Sequence, residues 1–490
     1  MPAPIFLVVD KPENWPLHVP GVQVVGARPY LTEPAYSNNH RNARVFNLCR
    51  SYSYQSTGYY VSLLAEARGH RPQPDVVTIQ DMKSISLVRA ITDEFDRLIQ
   101  KTLRPIRGDT FTLSVYFGRT TAKRDQALGL KLFGAFRSPL LRAQFARKRE
   151  KWQLQSVRPI PADEIPEAHH AVAVAAAEQY FARRQWSPGA GRPPRYHLAI
   201  LVDEQEQPPP SDDAAIAKFI RAAERQEMLP ERITRDDFSR LGVFDALFIR
   251  TTTFVNHYTY RFARRAEAEG LAVIDDPVSI ARCTNKVYLA ERLASRDVPI
   301  PPTHFVHADN VEEVLAEVGL PCVLKQPDSA FSAGVTKATS EAEYRTKVAQ
   351  LLGESDLIVV QPFVPTEYDW RVGVLDGEAL YTSRYYMARH HWQILHRSES
   401  GQMRSGKVET VPVADAPRRV VQAAVKAASL IGDGLYGVDV KQVDGKVYVI
   451  EVNDNPTLES GVEDAVLKDE LYRKVIASFV RRIEAIRTRK

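Results

Sequence analysis

Acidic and amide side chains interrupt two apolar runs near the C-terminus, Gly437-Val438-Asp439-Val440 and Tyr448-Val449-Ile450-Glu451-Val452-Asn453-Asp454-Asn455-Pro456. Burying a carboxylate among valines is costly unless a cation or a hydrogen-bonding partner compensates. Asp439, Glu451 and Asn453 offer hard oxygen donors, the type Mg²⁺ prefers. Two lysines upstream, Lys286 and Lys325, are point charges suited to phosphate oxygens. Together these residues predict a site that holds Mg-ATP. The competing explanation is an edge hairpin with one solvated polar face.

Strand geometry constrains the site. Side chains alternate faces, so Glu451 and Asn453 share one face. A two-residue turn at Asp444-Gly445 would pair Asp439 with Ile450 and put Asp439 and Glu451 on opposite faces. A three-residue loop, Asp444-Gly445-Lys446, pairs Asp439 with Glu451. The expectation is therefore an odd-length loop or a bulge.

Four further features lie upstream. Asp275-Asp276-Pro277 … Thr284-Asn285-Lys286 puts a lysine near a helix start. Pro321-Cys322-Val323-Leu324-Lys325 reads as a strand ending in a lysine, followed by the small, polar turn 328–335, where backbone N–H groups can approach a polyphosphate. Leu357-Ile358-Val359-Val360-Gln361-Pro362-Phe363-Val364 is an apolar strand running into a short link able to hold an adenine. Glu367 and Asp369 follow, placed to accept from ribose hydroxyls; a hairpin with charged turn residues is the alternative. Finally, Leu380 to Tyr385 delivers Arg384, whose planar fork grips carboxylate or phosphate unless it forms an ordinary surface ion pair.

The elements that must position these residues follow an α/β rhythm. Residues 5–9, 75–79 and 111–118 read as strands, with helices over 60–68 and 85–98. A basic stretch at 137–151, an Ala-rich helix over 168–184 and a Gly/Pro-rich run at 187–194 mark a boundary. A second rhythm follows, with strands at 197–203, 244–250 and 271–274 and helices over 214–226 and 258–270, implying a small, mainly parallel sheet. A helix over 285–296 comes next. The expected division is an N-terminal α/β domain over 1–150, a linker with a helix over 151–195, a small parallel-sheet domain over 196–285, and a nucleotide domain over 286–490. Its lid is expected at about 300–365 and its core at 366–490.

The 490 residues suffice for about three domains. A net charge of +5 is mild, and the basic cluster at 137–151 reads as a solvated face rather than a nucleic-acid surface. Three distant cysteines give neither a disulfide framework nor zinc spacing. No signal peptide or membrane-spanning run is recognised, so the cytoplasm is the expected compartment.

The ordered set Lys286, Lys325, Gln361-Pro362-Phe363-Val364, Asp369-Trp370-Arg371-Val372, Arg384, Gly437-Val438-Asp439 and Glu451-Val452-Asn453 resembles the ATP-grasp ligases, in the branch containing RimK and glutathione synthetase-like enzymes. The resemblance covers about residues 196–487. The N-terminal region resembles the domain that precedes some RimK-like ATP-grasp proteins. The implied fold is α/β with an α+β lid, an ATP-grasp fold preceded by a small parallel-sheet domain and an extra N-terminal α/β domain. The implied roles are ATP binding by Lys286, Lys325, Gln361, Pro362, Phe363, Val364, Glu367 and Asp369, and binding of two Mg²⁺ or Mn²⁺ by Asp439, Glu451 and Asn453. Arg384 is the implied catalytic residue, steadying the transferred phosphoryl group. The family usually continues Asn-x-x-Pro-Gly, but Thr457 stands at the Gly place, which puts the substrate in question. The long basic segment 386–407, with His390, His391, Arg397, Arg404 and Lys407, reads as an acceptor-side lid or a solvated loop. The substrate-binding candidates are Arg404 and Lys407 in this segment and Asn455 in the tail.

The resemblance implies a ligase that forms an amide through an acyl phosphate, acting on an amino acid, peptide or protein tail. A small-molecule kinase and a non-catalytic nucleotide-binding regulator are the alternatives. The expected closing segments are 328–335 and parts of 386–407. The N-terminal domain is either a substrate-delivery module, with Arg50, Ser51, Tyr52, Tyr54 and Ser56 as contacts, or a packing and dimerisation module, so a homo-oligomer is an open partner class.

Overall fold

The computed structural model describes residues 4–15, 19, 21–38, 43–84, 88, 95–148, 150–181, 194–328, 334–388, 391–397 and 403–488, with side chains at 14, 37–38, 162, 395–397 and 403–405 outside the description. It divides into two compact units, one of residues 1–197, 236–245 and 484–490, the other of 198–235 and 246–483.

Among the described residues, the first unit holds two sheets. The strands β1 (Ile5–Val9), β2 (Gln23–Gly26), β3 (Arg44–Asn47) and β4 (Arg71–Gln73) form a parallel sheet in the order β2-β1-β3-β4. The strand expected at 75–79 is a helix, Val76–Asp81. Asp75 caps it by accepting from the Thr78 N–H, and this local bond overrides the β-branched composition. The helix expected over 85–98 falls largely outside the described residues, and Asp96–Leu103 is helical. The second sheet is antiparallel: β5 (Thr110–Tyr116), β6 (Leu140–Lys148) and β7 (Lys151–Pro159). The division expected at residue 150 falls in the turn between β6 and β7, so residues 151–159 belong to this sheet rather than to a linker. The Ala-rich helix spans His170–Phe181. Of the polar aromatic run, Tyr52 is buried and bonded to the Asn47 carbonyl, whereas Tyr54 is exposed.

The second unit takes in β8 (Tyr196–Leu201) from Leu198 onward, β9 (Met228–Ile233), β10 (Ala246–Ile249) and β11 (Ala272–Ile274), in the order β11-β10-β8-β9, with β10 parallel to both β8 and β11. A second sheet follows: β12 (His304–Val306), β13 (Cys322–Lys325), β14 (Val335–Ala338) and β15 (Ile358–Pro362), antiparallel throughout its described pairings and packed on helices Val311–Val318 and Glu341–Leu352. The third sheet carries the acidic residues. It runs β20-β17-β16-β21-β22, with β16 (Tyr368–Leu375), β17 (Glu378–Tyr386), a separate small hairpin of β18 (Leu395–Arg397) and β19 (Met403–Ser405), then β20 (Val408–Val411), β21 (Leu435–Val443) and β22 (Lys446–Asn453). One face packs Trp370, Val372, Val438 and Val440 against the helix Arg418–Ser429. The opposite face carries Asp369, Arg371, Asp439 and Glu451.

The β21–β22 hairpin reconciles a short turn with the required register. Val443 pairs with Lys446, so the turn is the two residues Asp444-Gly445, not the three-residue loop. Both have positive φ, 48° and 75°, the mirror-image turn that matches strand twist. Asp439 nonetheless faces Glu451, while Val440 pairs with Val449. Ile450 is the extra residue of a bulge, and it brings both carboxylates to one face.

Candidate active site

The acidic face opens onto a cleft of about 630 Å³ in the second unit, lined by Lys286, Lys325, Gln361, Pro362, Phe363, Val364, Asp369, Arg371, Asp439, Lys441, Glu451 and Asn453 among others. Three separate elements deliver the cations. Lys286 starts the helix Lys286–Ala294 and contacts Glu451 Oε1 at 3.2 Å. Lys325 ends β13, and its burial lowers its pKa to about 8, against an upward pull from Glu451. Lys441 on β21 donates to Asp369 Oδ1 at 2.6 Å and to Thr366 Oγ1 at 2.7 Å.

Arg371 is the residue that sequence reasoning quoted but did not use. It lies opposite Asp439 across β16 and β21 and donates from Nε and Nη2 to its two carboxylate oxygens at 2.7 and 2.8 Å. Burial pushes the Asp439 carboxyl up, while Arg371 pulls it back down. The guanidinium keeps its charge at any working pH. The signal was present: Arg371 stands two residues from Asp369, hence on the same face of a strand.

Arg384 is a correction. It pairs with Trp370 across β16 and β17, on the face opposite Asp439. Its guanidinium lies over the Trp370 and Tyr368 rings at 5.0 and 5.4 Å and sits 3.6 Å from Glu409. Strand alternation keeps it out of the cleft. Three more candidates shift. Glu367 is exposed and absent from the cleft lining, and its carbonyl accepts from the Met387 N–H. Lys407 is exposed, its carbonyl taken by Tyr386 N–H. Asn455 lines the cleft, but its Oδ1 accepts from Arg250 at 2.5 Å and its Nδ2 donates to Thr251 O at 2.7 Å, so both polar ends fix the tail in place. The Arg404 side chain, His390 and residues 329–333 of the phosphate turn lie outside the described residues.

In the link after β15, Gln361 Nε2 donates to Thr303 Oγ1 at 2.8 Å, and Phe363 N–H is taken by Pro321 O. The remaining backbone groups of the link are the ones available to a base. Asp454, not anticipated, also lines the cleft, and burial raises its pKa to about 7. Beyond it the cleft ends on Thr457, Glu459 and Glu463, the last accepting from Tyr385 OH and Glu459 N–H.

The trio of two carboxylates and one amide, Asp439, Glu451 and Asn453, suits a divalent cation. Asn453 Nδ2 donates to Gly437 O at 3.2 Å and to Asp439 Oδ2 at 3.3 Å, leaving its Oδ1 as an acceptor beside two carboxylates. Among the described residues no three His, Cys, Asp or Glu side chains form a ready-made cage. Mg²⁺ is typically held by one or two carboxylates and completed by phosphate oxygens and water.

Residues 27–176 match the RimK-like ATP-grasp N-terminal domain, a match that runs across residue 150, and residues 283–458 match the ATP-grasp domain. A protein named probable α-L-glutamate ligase from Thioalkalivibrio sulfidiphilus is 30% identical over 246 residues, 48% of this chain and 76% of that one. A protein of the same name from Vibrio vulnificus is 28% identical over 235 residues, 47% and 74% of the two chains. Among solved structures, a D-alanine–D-alanine ligase from Bacillus anthracis aligns with 60% of this chain and 99% of its own at 16% identity and a TM-score of 0.48. No helix among the described residues is long and apolar enough to cross a membrane. The chain belongs to the ATP-grasp ligase family, in its RimK-like branch.

Proposed function

We propose that the protein is an ATP-dependent carboxylate–amine ligase that joins an amino acid to an amino acid, a peptide or a protein tail through an acyl phosphate. The observation that carries this reading is the convergence of Lys286, Lys325, Arg371 and Lys441 with Asp439, Glu451 and Asn453 in one cleft. The names of the relatives support glutamate as the first substrate to try. Residues 196–285 serve as the domain preceding the nucleotide domain, and 286–490 as the nucleotide domain itself.

In this reading a substrate carboxylate attacks the γ-phosphorus of ATP, an O–P bond forms, and ADP leaves. The amine then attacks the acyl carbon, the C–N bond forms, and phosphate departs while the amine loses a proton. Lys286 and Lys325 hold phosphate oxygens, and Arg371 steadies the transferred phosphoryl group where Arg384 was expected to. Lys441 and Thr366 fix one oxygen of Asp369, turning the other toward a ribose. Asp439, Glu451 and Asn453 would hold the divalent cations, which when bound neutralise charge on the triphosphate. The apolar lining from Val335, Phe363, Met387 and Ile394 suits the faces of a planar base.

An ADP-release screen over pairs of carboxylates and amines, with mass spectrometry of the products, tests the proposal. Release requiring both partners, with an amide product, supports a ligase. A stable phosphorylated product points to the kinase, and no release with any pair points to the regulator.

A further inference from the structure

Both carboxylates of the trio are engaged, and by cations of different kinds. Arg371 grips Asp439 through two hydrogen bonds at 2.7 and 2.8 Å. Glu451 Oε1 instead meets the Lys286 ammonium at 3.2 Å, with the Lys286 side chain 10% exposed and that of Glu451 30%. A guanidinium fork is matched to a carboxylate and loses both bonds when it leaves. An ammonium is a point charge on a flexible four-carbon stem and passes readily from one oxygen to another. Of the two pairs, Lys286 with Glu451 is the exchangeable one.

The Lys286 backbone is tied to the other half of the exchange. Asn285 caps the helix Lys286–Ala294, its Oδ1 accepting from the Tyr288 N–H at 2.9 Å, while its Nδ2 donates to Asp328 Oδ1 at 2.9 Å. The Lys286 N–H donates to Pro327 O at 3.0 Å. These two bonds join the helix start to the head of the turn that follows β13. The Lys286 backbone therefore stays with the turn read as receiving phosphates, while its ammonium lies on a carboxylate read as receiving the metal.

That arrangement sets an energetic rule. A divalent cation binding alone has to draw Glu451 from Lys286, which takes the carboxylate away from a mostly buried ammonium. A triphosphate binding alone has to draw Lys286 from Glu451, which leaves a carboxylate facing phosphate charge. Either change removes one partner of a largely desolvated pair, which is costly. When both ligands bind, each partner gains a new opposite charge.

We infer that the Lys286–Glu451 ion pair is an internal stand-in for both ligands, a lock that couples metal and nucleotide binding so that each strengthens the other. The inference rests on the metal and nucleotide reading of the same cleft. Three affinities of the full chain test it: Mn²⁺ alone, from free Mn²⁺ counted by electron paramagnetic resonance, and AMPPNP in EDTA and AMPPNP with saturating Mn²⁺, both by calorimetry. Lys286→Met is expected to tighten binding of Mn²⁺ alone about tenfold, the order of a coupling between two sites, and to weaken Mn-AMPPNP. Coupling is reciprocal, so Glu451→Gln is expected to tighten AMPPNP in EDTA by a similar factor, and also to weaken Mn-AMPPNP. A merely structural role lowers affinities and produces neither gain. Lys441→Met, which removes another cation of the cleft, should leave the affinity for Mn²⁺ alone unchanged. Lys286→Gln replaces Lys286→Met if the latter does not fold. Absence of either gain in a folded variant overturns the inference, as does equal tightening of Mn²⁺ by Lys441→Met, which marks a general field effect. Mn-AMPPNP bound by the wild type with neither gain in the variants removes the coupling alone. Failure of the wild type to bind Mn-AMPPNP removes the nucleotide reading itself, and this inference with it.

Discussion

Replacing Arg371 by methionine separates the chemistry of the cleft from its stability. The Arg371 and Asp439 side chains are only 16% and 12% exposed, and two charge-assisted hydrogen bonds join them. Removing one partner of such a pair costs about 3–5 kcal/mol, because the other charge stays buried and unpaired. For a unit of this size, that corresponds to a fall in Tm of roughly 6–12 °C. Loss of a preorganised charge aimed at a phosphoryl group lowers kcat by about 10²–10³. The two effects part in the double variant Arg371→Met/Asp439→Asn, which removes both charges. Its stability should return to within about 1–2 kcal/mol of wild type, while turnover stays lost. Thermal melts and coupled ADP-release assays on the two single variants and the double variant make the measurement. Turnover of Arg371→Met close to wild type, or a double variant no more stable than Arg371→Met, would refute the assignment.

Arg384→Met gives the matching control. Its guanidinium packs over Trp370 on the far face, so ADP release should stay within a few-fold of wild type and Tm should fall only slightly; a hundredfold drop in kcat would restore Arg384 to the site. Burial lowers the Lys325 pKa to about 8, so its ammonium is lost as pH rises through that value, and kcat/KM for ATP should fall on the same limb. Lys325→Arg should push that limb upward, because a guanidinium stays charged. The sign for folding is opposite: the buried ammonium penalises the native state below the folded pKa, and the penalty fades as pH rises toward the unfolded value, so stability should increase slightly between about pH 8 and pH 10, read from melts across that range. Lys441→Met frees Asp369 and should raise the KM for ATP several-fold while leaving the KM for 2′-deoxy-ATP and 3′-deoxy-ATP closer to wild type, if Asp369 reads the ribose.

The chemistry of the site was legible because donor type needs no geometry. Oxygen-bearing side chains among valines, and lysines at the ends of apolar runs, announce buried charge wherever they occur. Face was legible only one strand at a time. The requirement that Asp439 and Glu451 share a face was deduced correctly, and of the two devices expected to satisfy it, an odd-length loop or a bulge, the bulge at Ile450 is the one used, with a two-residue turn. Which of the two it would be has no strong sequence signature. Arg371 and Arg384 show the limit sharply. Both are arginines on adjacent strands of one sheet, and residue type cannot rank them. Cross-strand pairing does, setting Arg371 against Asp439 and Arg384 against Trp370. The strand expected at 75–79 failed for a local reason, the Asp75 cap, while the boundary expected at 150 failed because a hairpin turn and a linker share the same polar composition.

The sequence by itself determined the inventory: an acidic and amide trio, lysines at the ends of apolar runs, an apolar strand running into a short link, and the alternation of strands and helices that carries them. Tertiary structure decided which members of that inventory meet. It chose Arg371 over Arg384, tied Asn455 to Arg250, gave Asp369 to Lys441, and set Lys286 against Glu451. The physical reason is that a side chain's type is written at one position, whereas its neighbours are set by register between strands far apart in the chain, where a shift of one residue exchanges the two faces of a sheet.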